Sequence, residues 1–193
     1  MESNSSSITK YVDKILNVVF LWAVPIWIKP NHFTVLRFVS VPFILYLLIR
    51  EDYAWGVVIF GLSAFTDAID GALARTRNQI TEWGRIFDPL ADKVLIATSA
   101  LVVLSKFDSV AAFSMIFLDV AIGAAAFYHL RAKKEIVNPH WTGKVKMILQ
   151  SVGVVVALIF LITGIPEIEA IARAVIYFAI GLGLISVAVY RSA

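Results

Sequence analysis

Six apolar stretches, each close to the length of a membrane crossing, constrain this chain of 193 residues more than any other feature. An α-helix needs about 20 apolar residues to cross the hydrocarbon core of a bilayer. The stretches cover residues 33–49, 53–74, 87–104, 110–130, 147–163 and 168–190. Charged residues make up only 16% of the chain, too few for a water-facing surface. The sequence therefore predicts an all-α integral membrane protein in which a single domain, residues 1–193, contains a bundle of six transmembrane helices over residues 33–190.

The segment before these stretches, residues 10–29, has a different pattern. Polar residues occupy one helical face of its first half, and the apolar run that follows is short, interrupted by Pro25, and carries Trp22 and Trp27. This pattern is typical of an amphipathic helix that lies in the membrane interface. The polar start of the chain lacks the basic segment and cleavage site of a secretory signal, so we expect no cleavage.

The distribution of lysine and arginine predicts the topology. With six crossings and both termini on one side, fourteen of the 17 basic residues fall on one face, and Arg50, Lys106 and Arg173 fall on the other. Because basic residues concentrate on the cytoplasmic side, both termini are expected in the cytoplasm, with the protein in the cytoplasmic (inner) membrane. The net charge of +3 is small and scattered, so we expect no nucleic-acid partner.

Four aspartates interrupt the second and third stretches: Asp67, Asp70, Asp88 and Asp92. Each costs about 2.5 to 3.5 kcal/mol at the centre of a bilayer, so they need compensation. The spacings i, i+3 and i, i+4 place each pair on one helical face, and two facing helices would bring the four together. Hard divalent cations neutralise such oxygen clusters, which predicts two Mg²⁺ or Mn²⁺ ions. Magnesium often completes its shell with substrate phosphate, so the site predicts phosphoryl chemistry.

Two other interpretations of the aspartates are open. They could form structural ion pairs with nearby cations, of which the sequence offers Arg75, Arg77, Arg85 and Lys93. Four acidic residues at this spacing make that interpretation the weaker one. They could also belong to an ion-coupled transporter, although the chain lacks the internal inverted repeat that many transporters show.

Residues 67–92 carry the pattern D-x-x-D-G-x-x-A-R, then eight residues, then G-x-x-x-D-x-x-x-D. Its fixed positions are Asp67, Asp70, Gly71, Ala74, Arg75, Gly84, Asp88 and Asp92. This pattern resembles the signature of the CDP-alcohol phosphotransferase family. The six-helix architecture of that family agrees with the number of apolar stretches counted above.

The resemblance implies a lipid-headgroup transferase that takes a CDP-linked lipid as donor and an alcohol as acceptor and releases CMP. It implies that Asp67, Asp70 and Asp88 hold two divalent ions on the donor pyrophosphate, and that Asp92 is the general base on the acceptor hydroxyl and also a metal ligand. It further implies a homodimer surrounded by membrane lipid.

The binding site for the CDP group is also carried over from the resemblance. It comprises Gly71, Ala74, Arg75, Thr81 and Gly84. Residues 30–37, P-N-H-F-T-V-L-R, resemble the P-N-x-x-T-x-x-R segment of the family and add Asn31 and Thr34. Capping of the first transmembrane helix is the alternative role for Asn31 and Thr34.

The acceptor site is predicted from a second basic cluster. Residues 143–150, G-K-V-K-M-I-L-Q, resemble the G-K-x-K-T-x-x-Q segment of family members that use glycerol 3-phosphate, and D-P-L-A-D-K at 88–93 is also typical of them. The predicted acceptor-binding residues are Arg37, Arg131, Lys144 and Lys146. Two positions depart from that pattern: Met147 replaces threonine, and Leu118-Asp119 replaces an Arg-Glu pair.

The predicted reaction moves a phosphatidyl group from CDP-diacylglycerol to glycerol 3-phosphate, giving phosphatidylglycerophosphate and CMP. Because residues 124–146 are also similar to cardiolipin synthases of the family, that activity and inositol-phosphate transfer stay open as alternatives. Asp119 is either an acceptor-site residue or a polar group that packs two helices together.

Overall fold

Six α-helices account for nearly all the residues that the structure, a computed structural model, describes: 25, 30–76, 81–132 and 141–192. They are α1 (Pro30–Ile49), α2 (Tyr53–Thr76), α3 (Glu82–Leu104), α4 (Ser109–Ala132), α5 (Trp141–Thr163) and α6 (Pro166–Ser192). No strand occurs in these ranges. Each predicted apolar stretch lies within one helix, so the prediction of an all-α protein is confirmed.

Three segments of these helices are long and apolar enough to cross a membrane: Pro30–Ile49, Val145–Thr163 and Pro166–Val187. In α4 the apolar part is shorter, Ser109–Ala125. In α2 and α3 the aspartates interrupt the apolar sequence. The chain is therefore an integral membrane protein, while the count of six crossings stays a prediction. The predicted interfacial helix, residues 10–29, lies outside the described residues apart from the exposed Pro25.

Two of the connections between helices depend on a left-handed residue. Glu51, after α1, has φ 62°, which costs free energy because its Cβ crowds the backbone in this region. Gly164 has φ 66° between α5 and α6 and adopts it without that cost. Pro166 then starts α6, where its fixed φ suits the first helical position.

The contacts divide the chain into two compact units. The first unit comprises Met1–Phe43 and Ile59–Leu95, so its described part contains the start of α1, most of α2 and the start of α3. Ala72 and Leu73 of α2 are fully buried in it, with Phe33 and Ile69 packed against them. All four aspartates of the predicted site belong to this unit.

The second unit comprises Ile44–Val58 and Ile96–Ala193. Within it α6 packs against both α4 and α5. The buried side chains include Met115 of α4, Leu158 of α5 and Ile176 of α6. Gly153 of α5 faces Ile176 so closely that a Cβ at this position would lie 2.7 Å from its Cγ1. The packing of α5 on α6 therefore needs glycine at position 153.

Gly153→Ala is expected to lower the free energy of unfolding by about 1 to 3 kcal/mol, because overpacking forces Ile176 or the helix backbone to shift. Thermal unfolding of the purified protein in detergent measures the effect. Gly123→Ala is the matched control, because no atom of the described residues lies within 4 Å of a Cβ there, and we expect it to be neutral or stabilising. Equal midpoints for the two variants would contradict the packing argument.

A polar network in the second unit joins the turn after α3 to α6. The Arg173 guanidinium pairs with Asp108 at 2.5 Å and donates hydrogen bonds to Glu169 Oε1 at 2.9 Å and to the Phe107 carbonyl at 2.7 Å. Asp108 Oδ1 also accepts a hydrogen bond from the Ala111 amide at 3.0 Å, which caps the start of α4. This network could not be predicted from the sequence, because Arg173 and Asp108 are 65 residues apart.

Candidate active site

The guanidinium of Arg37, in α1, lies among three of the four predicted aspartates. Its Nη2 donates a hydrogen bond to Asp70 Oδ2 at 2.9 Å. Its Nη1 lies 3.2 Å from Asp67 Oδ1 and 3.0 Å from Asp92 Oδ1. The Arg37 side chain is fully buried. The carboxylates from α2 and α3 therefore meet around a cation that α1 supplies.

The spacing of the aspartates explains how two helices deliver them to one place. Asp67 and Asp70 share one face of α2, and Asp88 and Asp92 share one face of α3. Exposure falls across the cluster, from 45% for the Asp67 side chain to 17% for Asp92 and 4% for Asp70. We therefore call the exposed side of the cluster, at Asp67, its open end, and the buried side, at Asp70, its closed end.

Asp88 has a different partner from the other three aspartates. The Thr34 hydroxyl, which is buried, donates a short hydrogen bond to Asp88 Oδ1. Thr34 and Arg37 are three residues apart in α1 and so lie on the same helical face. One face of α1 thus contacts all four carboxylates.

Thr81 connects the start of α3 to the start of α1. Its Oγ1 donates a hydrogen bond to Asn31 Oδ1 at 2.9 Å and accepts one from the Gly84 amide at 3.0 Å, which caps α3. A Cβ at Gly84 would lie 3.1 Å from Asp88 Oδ2, so glycine leaves room beside that carboxylate. Among the residues described, Asn31, Thr81, Gly84 and Asp88 therefore form one polar group.

The chemistry of the donor set fits a hard divalent cation. All four acidic side chains offer oxygen ligands, and one guanidinium leaves them with excess negative charge. Within residues 30–76, 81–132 and 141–192, no three His, Asp or Glu side chains stand at metal-binding positions relative to one another. One carboxylate oxygen of each of Asp67, Asp70 and Asp92 lies within 3.2 Å of an Arg37 nitrogen.

At five predicted site residues the structure describes only the course of the helix: Gly71, Ala74, Arg75, Arg131 and Lys144. Of the cations in the structural ion-pair interpretation, Arg77 lies outside the described residues, as do the side chains of Arg75 and Arg85. Their predicted roles stay predictions.

Lys146 belongs to a buried polar group of the second unit. It is only 5% exposed, and its ammonium forms a short ion pair with Asp119. Gln150 Nε2 donates a hydrogen bond to the other carboxylate oxygen of Asp119 at 3.1 Å. These contacts join α4 to α5, as the helix-packing interpretation of Asp119 expects. The acceptor-binding role of Lys146 is still a prediction.

An apolar groove of 610 Å³ lies beside the polar cluster of the first unit. The residues that line it are Val35, Phe38, Val39, Pro42, Phe87 and Leu90. Two of these lining residues, Val35 and Phe87, are the chain neighbours of Thr34 and Asp88. A groove of this composition accepts hydrocarbon.

Comparison with known proteins identifies the relatives of the chain. The profile of the CDP-alcohol phosphatidyltransferase family matches residues 27–185. A protein of Salmonella choleraesuis (strain SC-B67) named CDP-diacylglycerol–glycerol-3-phosphate 3-phosphatidyltransferase is 34% identical over 133 residues, covering 64% of this chain and 72% of the relative. Proteins of the same name from Sodalis glossinidius and Escherichia coli (strain K12) are also 34% identical, covering 67% and 64% of this chain and 75% and 72% of the relatives.

The matched region contains the whole polar cluster of α1, α2 and α3, including Arg37 and the four aspartates. It also contains most of the described helices of the second unit. The match extends over most of the chain rather than over the aspartate signature alone. The chain therefore belongs to the CDP-alcohol phosphatidyltransferase family.

Proposed function

We propose that this protein transfers the phosphatidyl group of CDP-diacylglycerol to glycerol 3-phosphate. The observation that carries the proposal is the convergence of carboxylates from two helices inside a membrane protein of this family. The relatives named above support the choice of donor and acceptor. A hydroxyl oxygen of glycerol 3-phosphate forms a bond to the phosphatidyl phosphorus while the bond to the CMP oxygen breaks. The products are phosphatidylglycerophosphate and CMP.

The four aspartates have the central roles in this reaction. Members of the family generally depend on divalent metal. Asp67, Asp70 and Asp88 would hold two ions, Mg²⁺ or Mn²⁺, and Asp92 would be a ligand as well. Bound ions would neutralise the pyrophosphate and stabilise the charge on departing CMP. Asp92 takes the proton of the acceptor hydroxyl as general base, and its partial exposure allows that contact.

The donor is bound by two kinds of surface. Thr34 donates a hydrogen bond to Asp88, and Asn31, Thr81 and Asp88 lie next to Gly84. Asn31, Thr34, Thr81 and Gly84 form the polar part of the proposed CDP site, to which the resemblance adds Gly71, Ala74 and Arg75. The acyl chains occupy the apolar groove next to Thr34, which they enter from the bilayer. This arrangement keeps the lipid in the membrane and its headgroup at the carboxylates.

The acceptor carries a phosphate, which requires cations. Arg131, Lys144 and Lys146 are proposed to supply them together with Arg37. For Lys146 this role requires a change of partner, because Asp119 holds its ammonium. For Arg37 it requires release from the carboxylates that surround it.

The membrane arrangement belongs to the same proposal. The helices α2, α3 and α4 contain 24, 23 and 24 residues, and a helix of that length is long enough to cross a bilayer. Six crossings would place both termini and the site on the cytoplasmic side of the inner membrane.

A homodimer follows from the family resemblance. Light scattering of the purified protein tests the homodimer, and a monomer in several detergents would contradict it.

The proposed activity is tested by measuring CMP release from CDP-diacylglycerol and Mg²⁺, with glycerol 3-phosphate, phosphatidylglycerol, inositol phosphate or no acceptor in parallel. We expect release that requires glycerol 3-phosphate. Release with phosphatidylglycerol or inositol phosphate alone would replace the acceptor and keep the family chemistry. No release with any acceptor in Mg²⁺ or Mn²⁺ would overturn the proposal and favour an ion-coupled transporter.

A further inference from the structure

The hydrogen bonds of the Arg37 guanidinium are incomplete. The side chain is fully buried, yet Nε has no hydrogen-bond partner, and the contacts of Nη1 with Asp67 and Asp92 lack hydrogen-bond geometry. Only Nη2 makes a well-formed hydrogen bond, to Asp70. A buried donor without a partner costs free energy. Arg37 is therefore held mainly by the charge of the carboxylates.

The same charge attracts any other cation that enters the cluster. The single positive charge of Arg37 faces three carboxylates, so it balances the negative charge of only one of them. A divalent cation among these oxygens would stand close to the guanidinium, and the two positive charges would repel each other. Arg37 and a divalent cation therefore compete for the same carboxylate oxygens.

We propose that Arg37 competes with a divalent cation for Asp67 and Asp92 and gives up its contacts with these two carboxylates when the cation binds. The proposal rests on the proposed function for the presence of that cation. The hydrogen bond to Asp70 is kept, because it is well formed, lies at the closed end of the cluster and uses only one carboxylate oxygen. Asp67 and Asp92 are the partners released, because they lie toward the open end and share the single nitrogen Nη1.

Two consequences follow for the chain. In the metal-free protein Arg37 prevents repulsion among the aspartates and so stabilises the fold of the first unit. When the cation is bound, Nη1 is released and joins Nε, which has no hydrogen-bond partner, as a donor for an anionic group. The proposed role at the acceptor phosphate needs such donors. Arg37 therefore links loading of the cation to formation of the acceptor site.

The test compares wild-type protein with Arg37→Gln in detergent, without substrate. Thermal unfolding is followed in EDTA and in increasing Mn²⁺, and free Mn²⁺ is measured by electron paramagnetic resonance. In EDTA we expect a lower midpoint for the variant, because the carboxylates lose their counter-cation. We expect its half-saturating Mn²⁺ concentration to fall by about tenfold or more, because the competing charge is gone. An unchanged or higher half-saturating concentration would overturn the proposal.

Arg173→Gln is the matched control, since it removes a guanidinium from the ion-pair network of the second unit. It should lower the midpoint equally in EDTA and in Mn²⁺ and leave Mn²⁺ affinity unchanged. If Arg37 had only a structural role, Arg37→Gln would also show an equally lowered midpoint in EDTA and in Mn²⁺ and an unchanged Mn²⁺ affinity. That result would contradict the proposal.

A double variant covers the case in which Arg37→Gln does not fold. Arg37→Gln with Asp67→Asn removes one positive and one negative charge. We expect it to fold and to show a cooperative unfolding transition in EDTA, where the single variant shows a lower midpoint or no transition. Failure of the double variant to improve on the single one would overturn the proposal. These measurements use no substrate, so the two proposals can fail separately. If Arg37→Gln binds Mn²⁺ more tightly but the wild-type protein releases no CMP, the proposed function alone is rejected. If the wild-type protein releases CMP but Arg37→Gln has unchanged Mn²⁺ affinity, this inference alone is rejected.

Discussion

Asp92→Asn is expected to lower the rate of CMP release by a factor of about 10² to 10⁴, the contribution typical of a general base. The asparagine has nearly the same shape but cannot take a proton from the acceptor hydroxyl. Asp70, the most buried carboxylate of the cluster, keeps its hydrogen bond with Arg37 in this variant. Donor binding should therefore persist while turnover is lost.

Two measurements separate these effects: the rate of CMP release, and equilibrium binding of CDP-diacylglycerol to protein in nanodiscs. Asp52→Asn is the matched control, because Asp52 is exposed in the turn between α1 and α2, and it should retain wild-type values in both assays. If Asp92→Asn kept a rate within about threefold of wild type, the assignment of Asp92 as general base would be wrong. Loss of binding together with turnover would instead indicate that Asp92 acts mainly in holding the donor.

Asp119→Leu is expected to lower the free energy of unfolding by about 3 to 5 kcal/mol, because it leaves Lys146 buried without its partner. Lys146 is 5% exposed, so water reaches its ammonium poorly. Gln150 loses the acceptor of its side-chain hydrogen bond in the same variant. Chemical or thermal unfolding of the purified protein measures the loss.

The double variant Asp119→Leu with Lys146→Met provides the control for this prediction. Replacing a buried ion pair by apolar side chains is often neutral or stabilising, so the double variant should recover most of the stability lost in Asp119→Leu. A double variant as unstable as the single one would show that Lys146 is not the cause.

The double variant also separates packing from function. If Lys146 binds the acceptor, recovered stability will be accompanied by a raised KM for glycerol 3-phosphate.

The helices could be predicted from the sequence because lipid exposure demands long apolar runs. The predicted ends at residues 49, 104 and 163 coincide with the ends of α1, α3 and α5. Their starts lie earlier than predicted, since α3 begins at Glu82 and α5 at Trp141. Apolar content does not mark these starts, because a helix continues into polar sequence where Thr81, for example, caps its backbone.

The partners of the charged side chains were harder to predict. The spacing of the aspartates within α2 and α3 gave their shared faces, since a helix repeats every 3.6 residues. No local rule gave the partner of Asp70, because Arg37 is 33 residues away and reaches it only after α1 packs beside α2. The pair of Asp108 with Arg173 could not be predicted for the same reason. The mid-helix position of Arg37 in an apolar stretch was the one sequence signal that it needed an internal partner.

The position of Arg37 in α1 also affects how the chain enters the membrane during synthesis. Arg37 leaves the ribosome 33 residues before Asp70, so α1 meets the insertion machinery while its positive charge has no partner. A lone arginine costs about 2.5 to 3.5 kcal/mol at the centre of an inserting helix, and Arg37, the eighth of the 20 residues of α1, carries part of that cost. The aspartates of α2 and α3 carry comparable costs until α1 is beside them. We therefore expect α1, α2 and α3 to insert stably only together, because the arginine of α1 and the aspartates of α2 and α3 supply the charges that each other needs.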